Sequence, residues 1–170
     1  LDSALGRQKR LNQIGETINS IASPAAAYSL RSLNGGDPKV VRVRRSSDNA
    51  ESDFNVSGVN SGALVAFVGS GNDGFVETWY DQSGNSNDLT QTTAGEQPKI
   101  VSSGSLLSDG IDFDGSDDTL SAASVSGFGA ATSIFEASIR DSGGAAVVSM
   151  GSSASTSNTN FGIVEAGSNT

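Results

Sequence analysis

Apolar residues recur along this chain with two different periods. Over residues 1–22, Leu11, Ile14, Ile18 and Ile21 are spaced three, four and three apart, with Ala4 one heptad before Leu11, and Lys9, Arg10, Asn12, Gln13, Glu16 and Asn19 fill the other face. That period predicts an amphipathic α-helix. Gly6 and Gly15 each cost about 1 kcal/mol relative to Ala inside a helix, so a helix of this length needs a partner surface. Two partners fit: the rest of its own domain, or a neighbouring subunit, because the spacing also matches an a/d seam. Ser23-Pro24 ends the helix, since the residue before a proline is pushed out of the α region.

Beyond Pro24 the period shortens to two. Residues 25–30 read as a first strand or short extended segment, and Asn34-Gly35-Gly36-Asp37-Pro38 as a turn. Residues 40–45 alternate Val with Arg and predict a half-exposed strand at an edge or surface. Residues 46–54 read as a polar loop. A short helix is expected over 63–68, capped by Asn60 or Ser61 and closed by Gly69. Further strands are expected at 75–80, from Leu89, at 97–101, at 111–114 (where Ile111 and Phe113 alternate with Asp112 and Asp114), at 133–140, at 145–150 and at 160–165. Many short strands separated by Gly/Ser turns predict an all-β sandwich or jelly roll over residues 23–170.

Composition narrows the chemistry. The 170 residues suffice for one domain with a real core. A net charge of -9, from 19 acids and 10 bases, repels phosphate backbones, so nucleic acid is not an expected partner. Lys39, Arg42, Arg44 and Arg45 cluster, but Asp48 and Asp53 are near enough in sequence to neutralise them in ion pairs. With no cysteine there is neither a disulfide framework nor a thiolate metal site, and with no histidine any acid–base chemistry must rest on carboxylates. No apolar run approaches the ~20 residues of a membrane span. The start at Leu1 and the stop at Thr170, straight after an apolar segment, are expected of a piece of a longer polypeptide whose sandwich is cut short at its C-terminus.

The densest stretch of functional side chains is Trp79 to Gln91, which packs two large aromatics, two acids, amides and a turn glycine into thirteen residues. It fits three roles. Trp79, Tyr80, Asp81, Gln82, Asn85 and Asp88 form a candidate glycan surface, one of the two aromatics facing the core and the other a sugar. Asp81, Asn85, Asn87 and Asp88 supply the hard oxygens that Ca²⁺ takes, though without EF-hand spacing; no other cofactor is expected. In the third role, Asx side chains bond their own backbone and the loop is a rigid corner of the fold. Asp112, Asp114, Asp117 and Asp118 are the densest acidic cluster and read as the solvated entry to a hairpin.

Three stretches together resemble the N-terminal part of the α-L-arabinofuranosidase B catalytic domain and its relatives in bacterial and phage proteins: Ala27-Tyr28-Ser29-Leu30-Arg31, Val41 to Asn49, and Trp79 to Gln91. Gln97-Pro98-Lys99-Ile100-Val101 and Asp112 to Asp118 resemble the continuation seen in lectin-like members. The resemblance implies a concanavalin A-like jelly-roll sandwich, here preceded by the N-terminal helix. Enzymes of the family hydrolyse arabinofuranosides with retention, which needs two carboxylates about 5–5.5 Å apart. Beyond Leu120 this chain offers Glu136, Asp141 and Glu165, none of which maps onto either catalytic acid, and the family's adjacent cysteine pair is absent. No catalytic residue is therefore assigned. The resemblance implies instead a structural or adhesion module of a larger assembly: a phage virion appendage, fibre or capsid-attached, on a virion or extracellular surface. Its expected partners are other virion subunits, copies of itself in a homotrimer joined through Leu11, Ile14, Ile18 and Ile21, and a weakly bound cell-surface glycan. The alternative is a retaining arabinofuranosidase-like hydrolase.

Overall fold

The sheet is built outward from Lys39–Arg45 (β1), whose Val40, Val41 and Val43 are fully buried. In this computed structural model, residues 24–122, Val125, 145–152 and 159–166 are described. The predicted helix with Leu11, Ile14, Ile18 and Ile21, and the predicted strand at 133–140, lie outside them. β1 is paired on both sides and so is not at the sheet edge, one of the two placements that its alternating Val and Arg residues predict. It pairs antiparallel with Glu51–Asn55 (β2) on one side and with Gly74–Trp79 (β3) on the other. Of its arginines only Arg44 is buried, among amides, while Arg42 and Arg45 stay part-exposed and pair with acids. β2 falls where a polar loop is expected, and Phe54 is the one residue of the strand that enters the core.

Val56–Asn60 (α1) and Ala63–Val68 (α2) follow. The second matches the expected helix, but its N-cap is Gly62 in the left-handed region rather than Asn60 or Ser61; Asn55 caps α1 instead, accepting the Gly58 N–H at 2.8 Å. Gly69 closes α2 by donating to the Val65 carbonyl. The two helices bury Val59, Leu64 and Val68 against the sheet. Close approach at one point depends on a glycine: a Cβ at Gly74 would stand 2.8 Å from Val68 Cγ2 and 3.2 Å from both Val43 Cγ1 and Val101 Cβ. Overpacking of this kind costs typically about 1–3 kcal/mol. Gly74→Ala is accordingly expected to lose about 2 kcal/mol in urea denaturation with an unchanged m-value.

Beyond β3 come Leu89–Thr90 (β4), Lys99–Ser102 (β5), Ser105–Leu106 (β6), Thr119–Ala122 (β7), Ala145–Ser152 (β8) and Thr159–Ala166 (β9). The strands run in the order β2-β1-β3-β4-β7-β9-β8, with β5 on β3 and β6 on β5, and every pairing is antiparallel. Strand and strand pairing dominate the described residues, and the class is all-β. Residues 25–30 are an extended segment without a strand ladder. Among the described residues no helix is long and apolar enough to cross a membrane.

Candidate functional site

β3 ends at Trp79 and β4 begins at Leu89, its register partner, so residues 80–88 must leave the sheet and return to it within one loop. Asp81 organises that return. Its Oδ1 accepts the N–H groups of Ser83 and Ala27, each at 2.8 Å; its Oδ2 accepts the Asn87 N–H at 3.0 Å and the Ser83 hydroxyl at 2.6 Å. Asp88 closes the base of the loop by accepting the Asp81 N–H at 2.8 Å. Gly84 (φ 91°) and Ser86 (φ 57°) occupy the left-handed region that lets the chain turn tightly enough for these bonds to form.

The remaining polar groups reach away from the loop, to residues 24–34, which cross it as a strap. Gln82, 8% exposed, donates its amide to the carbonyls of Ser29 (2.8 Å) and Arg31 (2.9 Å), accepts the Leu33 N–H at 3.0 Å, and through its own backbone binds Ala27 and the Asn34 side chain. Asn87 donates to the Ala25 carbonyl at 2.6 Å, and Asn85 to those of Pro24 and Ala25. Tyr28 returns the contact by donating its hydroxyl to the Asn87 carbonyl. Burial, reinforced by the carboxylates of Asp81 and Asp88, pushes that hydroxyl well above the ordinary phenol range. A segment with no strand ladder of its own is thus held by eleven hydrogen bonds to the Asp81 loop and by packing of Ala25, Ala26, Tyr28 and Leu30 on the core.

The two aromatics do take different directions. Trp79 packs on Tyr28, ring centroids 5.8 Å apart and tilted by 49°, beneath the strap. Tyr80 points to the other side and donates to Asp53 Oδ1 at 2.7 Å; burial first, and then this bond, push its hydroxyl up to about 12. Asp53 also takes Arg42 at 2.7 Å and Lys39 at 2.7 Å, and the hydrogen bond from Arg42 is the chief reason its carboxyl lies well below the usual range. Arg45 donates Nε and Nη2, one edge of its guanidinium, to the two oxygens of Asp48, and these bonds bring Asp48 down to about 2. The ion pairs expected of Asp48 and Asp53 with the basic cluster are therefore present.

For the six candidate glycan residues, this geometry divides rather than gathers them: Trp79 lies against the strap, Gln82 is buried with its amide fully engaged, and Tyr80 is tied to Asp53. For Ca²⁺, the fit turns on Asp81, the one carboxylate central to the set. A carboxylate offers about four lone-pair sites, and four protein donors occupy those of Asp81. Asn85 and Asn87 turn their NH₂ groups, not their oxygens, into the contact with the strap. The donor set as placed does not fit a resident cation. Of the carboxylates weighed for hydrolysis, Glu136 and Asp141 lie outside the described residues, and Glu165 is placed only by its backbone, opposite Ala146.

The acidic cluster departs from expectation in one member. Ligand oxygens of Asp114, Asp117 and Asp118 lie within 4.8 Å of one another, but Asp118 is buried, 7% exposed, and accepts the Asp114 N–H at 2.9 Å. Burial first, and then the neighbouring carboxylates of Asp114, Asp117 and Asp112, raise its carboxyl above the usual range. A folded-state value above the unfolded one means that the folded chain holds this proton more tightly, so the stability it contributes is full below about pH 4 and is lost as pH rises through the folded value. Asp118→Asn keeps an acceptor for Asp114 and removes the buried charge. The expected outcome is a higher Tm at pH 7 and no gain below about pH 4, read in paired thermal melts across that range.

A further polar centre has no forerunner in the sequence pattern. Arg44, 9% exposed, donates to Gln97 Oε1 (2.6 Å), Asn49 Oδ1 (2.8 Å) and the Ala94 carbonyl (3.0 Å), with its guanidinium 4.8 Å from the Phe75 ring centroid. Gln97 passes the network on to the Gln91 carbonyl, and the Gln91 amide holds Glu96 and Thr119. Among the described residues no carboxylate lies within ion-pair distance of Arg44. Residues 44, 49, 91 and 97 share no sequence motif that marks them as neighbours; the signal available was the Val/Arg alternation, which places Arg44 on one face of β1 without saying what covers it. Compared with known proteins, the chain matches no protein-family model, no curated protein and no solved structure.

Proposed function

We propose that this chain is a structural module of a larger assembly, a two-sheet jelly-roll sandwich whose Asp81 loop is a rigid corner. One observation carries the reading: the loop with the highest density of binding-type side chains spends them on the protein itself, chiefly on the strap at residues 24–34. A ligand site keeps convergent polar groups turned toward an open surface; here they converge on backbone carbonyls and N–H groups. Residues 1–22 precede the strap in the chain, so in this reading the corner anchors the segment to which the expected amphipathic helix is joined. An anchored junction is what a docking or oligomerising stem needs in order to transmit load. In this reading the apolar positions Leu11, Ile14, Ile18 and Ile21 meet neighbouring subunits or two further copies of the chain, and the setting is a virion fibre or capsid-attached appendage, as the resemblance of the Ala27 and Trp79 stretches implies.

The test is assembly. Light scattering on the full chain is expected to give an oligomer and on the double variant Leu11→Asp/Ile18→Asp a monomer, with the same β-sheet circular dichroism in both. An unchanged mass for the double variant overturns the stem.

A further inference from the structure

We propose that Asn34 is a site of spontaneous covalent modification, at which deamidation through the Gly35 nitrogen loosens the Leu33 end of the strap from the Asp81 loop. Asn34-Gly35 is the one Asn-Gly step in the chain. Both residues and Gly36 are exposed, and at Gly35 (φ 78°) and Gly36 (φ 75°) a Cβ would meet no atom within 4 Å. A glycine nitrogen has no neighbouring Cβ to hinder its approach to the Asn34 side chain, and its backbone reaches conformations closed to other residues. The asparagines at 49, 72, 85 and 87 are each followed by a residue with a Cβ.

In the step itself the Gly35 backbone nitrogen bonds to Asn34 Cγ and loses its proton to solvent. The Cγ–Nδ2 bond breaks and ammonia leaves. Water then opens the resulting five-membered imide at either carbonyl, giving aspartate or isoaspartate; the net change is amide plus water to carboxylic acid plus ammonia, with no other reactant.

What the product does follows from the atom that is lost. Asn34 Nδ2 donates to the Gln82 carbonyl at 2.6 Å, one residue beyond the Leu33 N–H that binds Gln82 Oε1 at 3.0 Å. These are the last two anchors of the strap. Deamidation replaces the donor with a carboxylate, setting an anionic oxygen against a carbonyl oxygen, and the isoaspartate form adds a backbone carbon at the same point. The strap therefore loosens from its Leu33 end while the bonds of Ala27 to Asp81 and to the Gln82 N–H remain.

The test uses the natural full-length chain, aged in warm, mildly alkaline buffer and sampled by peptide mass spectrometry and hydrogen exchange. Asn34 is expected to convert at least about tenfold faster than any other asparagine. In the converted fraction the Leu33 amide is expected to exchange at least about tenfold faster, with β1 unchanged. The variant Asn34→Asp, a substitution at an exposed turn, is expected to show the same loss at Leu33 without ageing. Conversion first at another asparagine overturns the proposal, and so does conversion at Asn34, or the Asn34→Asp variant, with Leu33 protection intact.

Discussion

Asp81→Ala is expected to lose about 3–4 kcal/mol of unfolding free energy, among the largest single losses available outside the hydrophobic core. The carboxylate accepts three backbone N–H groups and one hydroxyl, drawn from both sides of the loop and from the strap. Hydrogen bonds to a charged acceptor contribute about 1.5–3 kcal/mol each, and donors left unmade cost about 1–3 kcal/mol, discounted here because the loop is half-exposed and water reaches some of them. Asp81→Asn separates charge from shape: it keeps one acceptor oxygen but turns an NH₂ toward the Asn87 N–H or the Ser83 hydroxyl, for an expected loss of about 2 kcal/mol. Urea denaturation followed by Trp79 fluorescence checks both, since the indole lies beneath the strap. A neutral result for Asp81→Ala would show that the loop holds its shape without its central acceptor.

The second large effect is expected at Arg44. Lysine cannot place donors on Gln97, Asn49 and Ala94 together, because an ammonium is a point on a flexible stem while the guanidinium is a planar fork. Arg44→Lys is therefore expected to lose about 2 kcal/mol, and Arg44→Ala, which also removes the stem packed on Phe75, about 3–5 kcal/mol. Because no carboxylate among the described residues faces Arg44, these losses are expected to be the same at low and high salt, whereas any effect of Arg42→Ala, whose partner is Asp53, should shrink as salt is raised. Denaturation at two ionic strengths reads both; a salt-dependent loss at Arg44 would mean that an anionic partner is present.

How much of this was legible in the sequence depends on the range of the interaction that decides each element. The strand expected at 75–80 stands one residue earlier, at 74–79, and the helix over 63–68 stands where expected, closed by Gly69. Glu51–Asn55 was not legible as a strand: Glu51, Ser52 and Asp53 carry little strand preference, and it is the ladder with β1, joined by the turn around left-handed Asn49, that makes them one. The same distance effect hides the strap. Residues 25–30 join no ladder, and their partners lie some fifty to sixty positions later in the chain. Self-bonding in the Asp81 loop was readable from its Asx content; that the surplus amides would clasp another segment was not, because an exposed-looking Gln82 or Asn87 reads alike whether it meets carbonyls, a sugar or a cation.

The central claim is that the Asp81 loop is a completed corner rather than a vacant binding site. Hydrogen exchange resolved at the amides of Ala27, Leu33, Gln82, Ser83 and Asn87 tests it most directly, measured on the full chain with and without millimolar Ca²⁺ and with and without an arabinofuranoside. The account predicts that these amides are protected from the outset and that neither addition changes them. Rapid exchange in the free protein, slowed on adding either ligand, would contradict it and return the loop to the role of a site.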